Sequence, residues 1–499
     1  MTDKQSFAIE LDSGKIKGKG ADGYHYYLGI PFAAPPVGDL RWKPPQPVER
    51  WSGVKECTEF GPSCPQSPFP GFDVGRMNED CLYLNVWTSA GSPGDRLPVM
   101  VWIYGGGYQW GSASQVLYDG ASLAKKGAVV VTINYRVGAL GFLTHPQLVE
   151  DSREGLVGNY GILDNIAALE WVQRNISAFG GDPSRVTIFG ESAGASSVLA
   201  LMQSPLTEGL FHRAIAQSLG HISSVNLFPV QIPDYDVTTA QSLASNLGCG
   251  QATDVLAAMR AKTAEEIVAA TAGPPQMMFI PKPDDKVVSR AWLSPRDEKP
   301  RRDVPLIIGT MASELGTMAP MTPYSPPQVI AGLLQMFQPW ETYIQRMFGE
   351  RAEKILALFP ADTPEDIQSA LDKLATATTF CNSKFFAEQL SSPRYVYQFA
   401  RVPNWEHSKS MGAYHGLDVG YVFGGPRMFM EQIEYQTEDR ALSKVMMDYW
   451  TAFAAAGDPN GSGRPHWPAY DPASDKHLEF DAESTVKSGL FNELCDLLR

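Results

Sequence analysis

The sequence predicts an α/β protein with a mostly parallel central sheet and helices on both faces of that sheet. Apolar, β-branched runs alternate along the chain with segments of helical periodicity, which is typical of parallel strands joined by crossover helices. The predicted central strands are residues 97–104, 128–136, 185–189, 304–309 and 394–399. The clearest predicted helices are residues 165–179, 193–202 and 442–456. Ligands bind such sheets at the carboxyl ends of the strands, so functional groups are expected in the loops that follow them.

The chain has 499 residues without a recognisable linker, repeat or low-complexity segment, so we expect one domain over residues 1–499. Cap-like insertions are expected near residues 205–300 and 318–392. A formal net charge of −14 argues against nucleic acid and anionic membrane as partners. We therefore expect a small-molecule partner and a monomer or weak homo-oligomer.

No targeting or membrane segment is recognisable in the sequence. The first residues, up to Glu10, lack the apolar core of a signal peptide, and no run of about 18 apolar residues occurs. The chain as it stands is therefore expected in the cytoplasm. A periplasmic or secreted location stays open if a signal peptide has been removed from the chain.

Six cysteines in a chain of this length do not indicate a disulfide scaffold, and no Cys-x-x-Cys pair or zinc-ligand spacing occurs. We therefore expect no metal site. Cys64 and Cys81 could close a short loop, worth roughly 3 kcal/mol if oxidised. The other four have no evident partner and are expected to be small buried hydrophobic residues. They are Cys57, Cys249, Cys381 and Cys495.

The most informative segment is residues 185–198, a predicted strand that passes through Gly190-Glu-Ser-Ala-Gly194 into a predicted helix. The five-residue pattern alone is weak, because a chance match is expected roughly 0.3 times in a chain of this composition. Strand formers before it and small apolar residues after it make the pattern a candidate nucleophile elbow, in which the serine hydroxyl projects into a pocket. Ser192 is therefore the candidate nucleophile.

A serine nucleophile requires an imidazole base and a carboxylate that orients the imidazole. In chains with a nucleophile elbow of this kind the order is nucleophile, acid, histidine. Glu314 directly follows the strand 304–309 and is the preferred acid, with a helix-start carboxylate as its alternative interpretation. Asp303 lies at the wrong end of that strand, and Asp284 and Asp285 lie in a loop containing proline and lysine.

Four histidines follow the candidate acid in the chain. His407 lies in a polar stretch typical of a solvated loop, His466 lies between prolines in a predicted surface loop, and His477 lies in a predicted short strand. His415 follows the strand 394–399 through a longer loop and is therefore the candidate general base.

The oxyanion formed in acyl transfer requires two or three N–H donors that point at one place. The candidates are the backbone groups of Gly106, Gly107 and Ala193, because a glycine run follows the strand 97–104. The glycines could also be a loop spacer. Tyr108 and Trp110 come next in the chain and are candidate substrate-pocket residues.

Several further motifs are spread over nearly the whole length of the chain. Together with the elbow they are Gly29-Ile-Pro-Phe-Ala-Ala-Pro-Pro36, Leu40-Arg-Trp42, Glu79-Asp-Cys-Leu-Tyr-Leu-Asn-Val-Trp87, Asn134-Tyr-Arg136, Gly141-Phe-Leu143, Asn175-Ile176, Phe179-Gly-Gly-Asp-Pro183 and Gly190-Glu-Ser-Ala-Gly194. In these motifs the chain resembles the type-B carboxylesterases of the α/β-hydrolase superfamily, and in character it is most similar to the bacterial para-nitrobenzyl-type carboxylesterases.

The resemblance implies an α/β-hydrolase fold and a serine hydrolase that cleaves carboxylic esters through an acyl-enzyme, with no cofactor. Position by position it implies a triad of Ser192, Glu314 and His415, with the same three oxyanion donors. It also implies that Cys64 pairs with Cys81 in an oxidising compartment, whereas the bond would be absent in a reducing one.

Several departures from the family pattern concern the substrate. Tyr104 stands where a histidine usually precedes the glycines, Leu315 follows the acid where glycine is usual, and Leu219 replaces another glycine. The segment between Cys64 and Cys81 lacks the tryptophan that stacks on quaternary ammonium in cholinesterases, and Phe72 is a weak substitute. A choline ester is therefore not expected as substrate.

Two further segments are expected to overhang the site or to pack in a lid. They contain Met277, Met278, Phe279, Met336 and Phe337, of which Phe279 is a candidate pocket residue together with Leu219. A basic cluster is expected to be a solvated loop, and a role in steering an anionic ester is its alternative interpretation. Its members are Arg290, Arg296, Lys299, Arg301 and Arg302.

Two alternatives to a soluble ester hydrolase stay open at this point. One is a non-catalytic binding or adhesion module similar to cholinesterases, although such proteins have typically lost the serine that is present here as Ser192. The other is an interfacial lipase, for which a long apolar lid would be expected. The sequence does not determine the size of the acyl or alcohol group or whether the ester is anionic.

Overall fold

A large mixed β-sheet runs through the molecule, seen here in a computed structural model. The structure describes residues 7–69, 72–152, 155–219, 237–272, 277–292, 298–316, 337–406, 408–425 and 433–499. The strands in chain order are β1 (Ala8–Leu11), β2 (Gly14–Lys17), β3 (Lys19–Ala21), β4 (Tyr24–Pro31), β5 (Val54–Glu56), β6 (Tyr83–Thr88), β7 (Leu97–Ile103), β8 (Val129–Ile133), β9 (Gly181–Ser192), β10 (Arg213–Leu219), β11 (Leu306–Met311), β12 (Arg394–Phe399), β13 (Lys476–Phe480) and β14 (Thr485–Ser488).

Eleven of these strands form one sheet in the order β14-β13-β12-β11-β10-β9-β7-β8-β6-β4-β3. The strands from β13 to β8 run parallel to one another, and the outer strands at both edges pair antiparallel. Strands β1, β2 and β5 form a separate small sheet. The central parallel strands are buried on both faces, as their nearly continuous apolar sequences require.

Helices flank the sheet, and α5 and α14 both pack on its central strands β7 and β9. The helices in chain order are α1 (Ala121–Lys125), α2 (Gly138–Phe142), α3 (Pro146–Asp151), α4 (Tyr160–Asn175), α5 (Ala193–Gln203), α6 (Val237–Asn246), α7 (Val255–Arg260), α8 (Ala264–Thr271), α9 (Trp340–Phe348), α10 (Ala352–Leu358), α11 (Pro364–Glu388), α12 (Ser408–Met411), α13 (Leu417–Phe423), α14 (Thr437–Ala456) and α15 (Asn492–Leu498). In the described residues, none of them has the length and apolar character needed to span a membrane.

The predicted α/β architecture is confirmed, and the predicted strands and helices are present with shifted ends. Strand β8 ends at Ile133, three residues before the predicted end, because Asn134 and Arg136 turn their side chains to buried partners. Asn134 binds the Pro62 and Cys81 carbonyl oxygens through Nδ2, at 3.0 and 3.1 Å. Arg136 forms a buried ion pair with Asp164 at 2.7 Å.

Two regions of the predicted insertions are helical in the described residues. Helices α6 to α8 lie within residues 205–300, and α9 to α11 lie within residues 318–392. Helices α9 to α11 share a second apolar cluster with the C-terminal helix α15. Helix α11 begins with a capping box in which Thr363 and Asp366 exchange hydrogen bonds, and Pro364 occupies its first turn.

The cysteine pairing differs from the expectation. Cys381 in α11 and Cys495 in α15 form a disulfide, although no partner was evident for either in the sequence. Cys64 and Cys81 are free, buried thiols, so the structure does not contain the disulfide that the resemblance implies for an oxidising compartment. The observed pair is not visible in the sequence, because its two positions are 114 apart and only packing of α15 on α11 brings them together. Cys57 and Cys249 are buried free thiols, as expected.

Candidate active site

The candidate site lies where the loops after β7, β9, β11 and β12 meet at the carboxyl edge of the sheet. These loops carry the glycine run, Ser192, Glu314 and His415, respectively. An isolated bridge between Ser313 and Tyr414 joins the last two loops, and the Ser313 N–H donates to the Ala413 carbonyl oxygen at 3.1 Å. The acid and the histidine are therefore held side by side by backbone pairing.

Ser192 occupies a sharp turn between β9 and α5. Its backbone has φ 58° and ψ −122°, a conformation that is costly for a residue with a side chain. The turn closes because both flanking glycines lack a Cβ. A Cβ on Gly190 would lie 2.6 Å from the Gly194 carbonyl carbon, and one on Gly194 would lie 2.0 Å from the Ile103 oxygen. The local sequence thus produces the tight elbow that the pattern predicts.

The glycine run lies directly beside this elbow. A Cβ on Gly105 would approach Ser192 Cβ to 2.9 Å, so only glycine allows the two loops to touch. Gly106, Gly107 and Tyr108 have φ values of 112°, 61° and 63°. This left-handed backbone is available to Gly106 and Gly107 without strain, since neither residue has a Cβ. Ala193, the third predicted donor, is the first residue of α5.

His415 Nδ1 and Glu314 Oε2 are 2.6 Å apart, the distance of a strong charge-assisted hydrogen bond. The other carboxylate oxygen of Glu314 accepts the Met311 N–H at 2.9 Å, and the side chain is almost completely buried. One quarter of the His415 side chain is exposed. The imidazole is thus oriented by a buried carboxylate while its other edge faces the site.

Glu191 is a residue of the candidate site that sequence reasoning missed. It lies next to Ser192 in the elbow, and its Oε1 is 3.1 Å from His415 Nε2, without the alignment of a hydrogen bond. Burial raises the pKa of Glu191 to about 8. Burial alone would lower the pKa of His415, but the carboxylates of Glu191 and Glu314 raise it to about 9. The signal was available, since an acidic residue adjoins the predicted nucleophile.

Helix α11 supports the loop that carries Glu314. The Thr376 hydroxyl oxygen accepts the Glu314 N–H at 2.9 Å. Asp372, one turn earlier, accepts the Leu315 N–H at 2.7 Å and the Ser313 hydroxyl at 2.9 Å. Both helix residues lie about sixty positions from the loop in sequence, so no local pattern could have identified them.

A buried polar group lies behind the histidine. Asp418 Oδ2 accepts hydrogen bonds from Tyr397 at 2.7 Å and from Gln217 at 3.0 Å. The Trp450 indole N–H donates in turn to Gln217 Oε1 at 3.1 Å. Burial raises the pKa of Asp418 to about 6, and Asp418 is one of the charges that raise the pKa of His415.

The predicted pocket residues separate into two groups. Tyr108 is buried against Phe142, with its hydroxyl 3.4 Å from Ser197 Oγ, and Phe279 is also buried, so these two side chains belong to the core. Leu219 is buried at the end of β10, paired in register with Ser192. Trp110 is only half-buried and stays at the surface of the site.

An aromatic group borders the glycine run instead. The Phe69 ring lies 5.4 Å from Phe72 and 4.4 Å from Trp110, measured between ring centroids. A Cβ on Gly106 would lie 3.2 Å from Phe72, and one on Gly107 would lie 3.9 Å from Trp110 and 4.0 Å from Met278. These four side chains form an apolar wall beside the predicted oxyanion donors.

Two of the described members of the basic cluster are paired with acidic residues near them in sequence. Lys299 pairs with Asp303 at 2.7 Å, before β11 begins and therefore at the opposite edge of the sheet. Arg290 pairs with Asp285 at 3.1 Å. Arg296, like Met336 and His407, lies outside the described residues. The remaining predicted structural histidines are placed as expected, with His466 exposed in a loop and His477 buried in β13.

Esterases are among the known proteins to which this chain is similar in sequence and fold. The model of the carboxylesterase family matches residues 5–498. The chain is 35% identical to a fumonisin B1 esterase of Sphingopyxis macrogoltabida, with 94% of this chain and 86% of the relative covered. It is 34% identical to a para-nitrobenzyl esterase of Bacillus subtilis, with 96% of both covered. A human cocaine esterase is 35% identical, with 95% of this chain and 86% of the relative covered.

Solved structures of para-nitrobenzyl esterases share the fold. One superimposes with a TM-score of 0.80 at 31% identity, covering 99% of this chain and all of the other. A thermophilic para-nitrobenzyl esterase gives the same TM-score at 32% identity. Fold, family model and relatives agree over nearly the full length. The chain belongs to the carboxylesterase family, with the α/β-hydrolase fold, and it is a carboxylic ester hydrolase.

Proposed function

We propose that the protein cleaves carboxylic esters through an acyl-enzyme formed on Ser192, with His415 as general base and Glu314 as the acid that orients it. The observation that carries this proposal is the 2.6 Å contact between His415 Nδ1 and Glu314 Oε2, beside the strained elbow that holds Ser192. A buried carboxylate on Nδ1 leaves Nε2 as the basic nitrogen.

In the first half of the reaction, Ser192 Oγ attacks the ester carbonyl carbon while its proton passes to His415 Nε2. The carbonyl oxygen becomes an oxyanion, which the N–H groups of Gly106, Gly107 and Ala193 would bind. The carbon–oxygen bond to the alcohol then breaks, and the alcohol leaves with the proton from Nε2. In the second half a water molecule takes the place of the alcohol, and the carboxylic acid is released from Ser192.

The carboxylates around His415 favour this proton transfer. Glu314 and Glu191 stabilise the imidazolium that forms when Nε2 takes the serine proton, which is the reason that they raise its pKa. Nε2 lies 3.1 Å from Oε1 of Glu191, the residue next to Ser192 in the elbow. Catalytic hydrogen bonds often tighten only in the substrate complex.

The apolar wall supports an uncharged ester with an apolar acyl or alcohol group as substrate. Phe69, Phe72, Trp110 and Met278 offer aromatic and thioether surface beside Gly106 and Gly107. Lys299, by contrast, is neutralised at the far edge of the sheet. Relatives are named as esterases for fumonisin B1, cocaine and para-nitrobenzyl esters, so these esters are suitable substrates to test beside a neutral series.

The test is hydrolysis of para-nitrophenyl esters from acetate to palmitate by the wild type and by Ser192→Ala. We expect turnover of soluble esters, lowered on the order of 10⁶-fold by the substitution. Residual turnover near the wild-type rate in a folded Ser192→Ala protein would overturn the assignment of the nucleophile. Activity that begins only when the ester forms droplets would favour the interfacial lipase, and activity on an anionic ester alone would contradict the apolar substrate class.

A further inference from the structure

The extended segment of residues 277–284, called the strap below, lies beside the glycine run. Two side-chain amides hold it in place through hydrogen bonds. At one end Gln109 Nε2 donates to the Phe279 carbonyl oxygen at 2.5 Å, and Gln109 Oε1 accepts the Phe279 N–H at 3.2 Å. At the other end Asn159 binds the Lys282 backbone in the same way, at 2.7 and 2.8 Å. Each amide thus imitates the pairing of a neighbouring strand.

Gln109 differs from Asn159 because it also binds the glycine run. Its Nε2 donates to the Gly107 carbonyl oxygen at 3.1 Å, in addition to the Phe279 oxygen. The Gln109 side chain is almost completely buried, so a missing bond would not be replaced by water. One amide therefore fixes both the peptide that follows Gly107 and the strap.

Met278 is the strap residue that this arrangement places over the glycine run. Its neighbour Phe279 is buried and held on both backbone atoms by Gln109, whereas the Met278 residue is 41% exposed. Met278 Cε lies 4.0 Å from the position that a Cβ on Gly107 would occupy. The distance between Met278 and Gly107 limits how large a group can lie beside the oxyanion donors.

We infer that Gln109 is a positioning residue that sets the size selectivity of the site by holding Met278 against the glycine run. The inference rests on the proposed function, because it assumes that the ester carbonyl binds at Gly106 and Gly107. With Gln109 in place, the space between Met278 and Gly107, called the slot below, is narrow and the glycine run is rigid. Both conditions favour short acyl groups. Without it the strap relaxes, the slot widens and the donors lose alignment.

The variants that test this inference are Gln109→Met and Gln109→Glu. Methionine keeps the length of the side chain without its hydrogen bonds, and glutamate keeps the shape but loses both donated bonds. We expect kcat/KM for para-nitrophenyl acetate to fall about tenfold and kcat/KM for the octanoate ester to fall much less. The ratio of octanoate to acetate should therefore rise severalfold in both variants.

The matched control is Asn159→Ala, which frees the other end of the strap without touching Gly107. It should lower the thermal midpoint and leave the octanoate to acetate ratio within about twofold of the wild type. In the double variant with Met278→Ala, Gln109→Met should change the ratio less than it does alone, because both substitutions open the same slot.

An unchanged ratio in both Gln109 variants, with activity still dependent on Ser192, would overturn the inference and leave the proposed function intact. An equal change in Asn159→Ala would also overturn it, since general loosening of the strap would then explain the selectivity. If activity in the wild type proved independent of Ser192, the proposed function itself would fail.

Discussion

At the scale of single residues, the site depends on side chains whose ionisation is controlled by their close neighbours. His415 lies between two carboxylates, Glu314 at Nδ1 and Glu191 at Nε2. Glu314 is supplied by a distant loop, whereas Glu191 comes with the nucleophile elbow itself. The elbow therefore contributes both the candidate nucleophile and a carboxyl group next to the candidate base.

This arrangement predicts the pH dependence of a Glu191→Gln variant. The base must be neutral to accept the serine proton, so kcat/KM should rise with pH through the pKa of His415, which is raised to about 9. Removing the Glu191 carboxylate removes a negative charge that favours the imidazolium, so the pKa of His415 should fall and the rising limb should move to lower pH.

The measurement is the pH profile of kcat/KM on a short para-nitrophenyl ester. Glu208→Gln is the matched control, because that side chain is 86% exposed, and its profile should equal that of the wild type. A Glu191→Gln limb at the wild-type position, or at higher pH, would show that Glu191 does not act on the charge of His415.

At the scale of secondary structure elements, the candidate site is completed by a helix that contributes no reacting group. In helix α11, Thr376 accepts a hydrogen bond from the Glu314 N–H, and Asp372 accepts one from the Leu315 N–H. Thr376 is almost completely buried, so water cannot take over its bond to the Glu314 N–H, whereas Asp372 is half-buried. The candidate acid, Glu314, is thus positioned by helix α11 as well as by strand β11, which precedes its loop.

The substitution Thr376→Val tests this support. Valine keeps the shape and leaves the Glu314 N–H buried without an acceptor, at a cost of about 1–3 kcal/mol. We expect kcat to fall more than KM changes, because the loss displaces the acid that orients the base.

Thr378→Val is the matched control in the same helix. Thr378 is equally buried, but its hydroxyl donates to the Leu374 carbonyl oxygen within α11. This variant should change the thermal midpoint without a selective loss of kcat. An equal effect of both substitutions on kcat would contradict a positioning role for Thr376.

At the scale of the whole molecule, we propose that the chain acts as one domain whose inserted helices are held to the sheet from its C-terminus. Helix α15 packs on α11, and the disulfide between Cys381 and Cys495 locks the two together. Helix α11 in turn contacts β11 and β12, the strands that precede the acid and histidine loops. The last residues of the chain thus stabilise the surroundings of the candidate site.

Removal of this disulfide should lower the free energy of unfolding. The bond closes a loop of 114 residues, and for a loop near this length the chain-entropy model gives about 4.7 kcal/mol. We expect the double variant Cys381→Ala, Cys495→Ala to unfold at lower urea concentration than the oxidised wild type. Cys249→Ala, which removes a free buried thiol, is the control and should lose much less. Equal midpoints for the wild type and the double variant would contradict this role.

The sequence by itself determined the features that depend on short stretches of chain. The alternation of strands and helices predicted the parallel sheet, and the glycines around Ser192 predicted the elbow, because backbone sterics act between neighbouring residues. Chain order and the strand ends then pointed to Glu314 and His415, which the structure brings within 2.6 Å of each other.

Only the tertiary structure decided the features that depend on contacts between distant segments. The bonds of Thr376 and Asp372 to the acid loop, the link from Gln109 to Phe279 and the pairing of Cys381 with Cys495 all join positions that no local pattern connects. The burial of Tyr108 was likewise missed, since a side chain's direction in a left-handed loop is not visible in its sequence. Local sterics and periodicity are encoded in neighbouring residues, whereas these contacts arise only when the whole chain has packed.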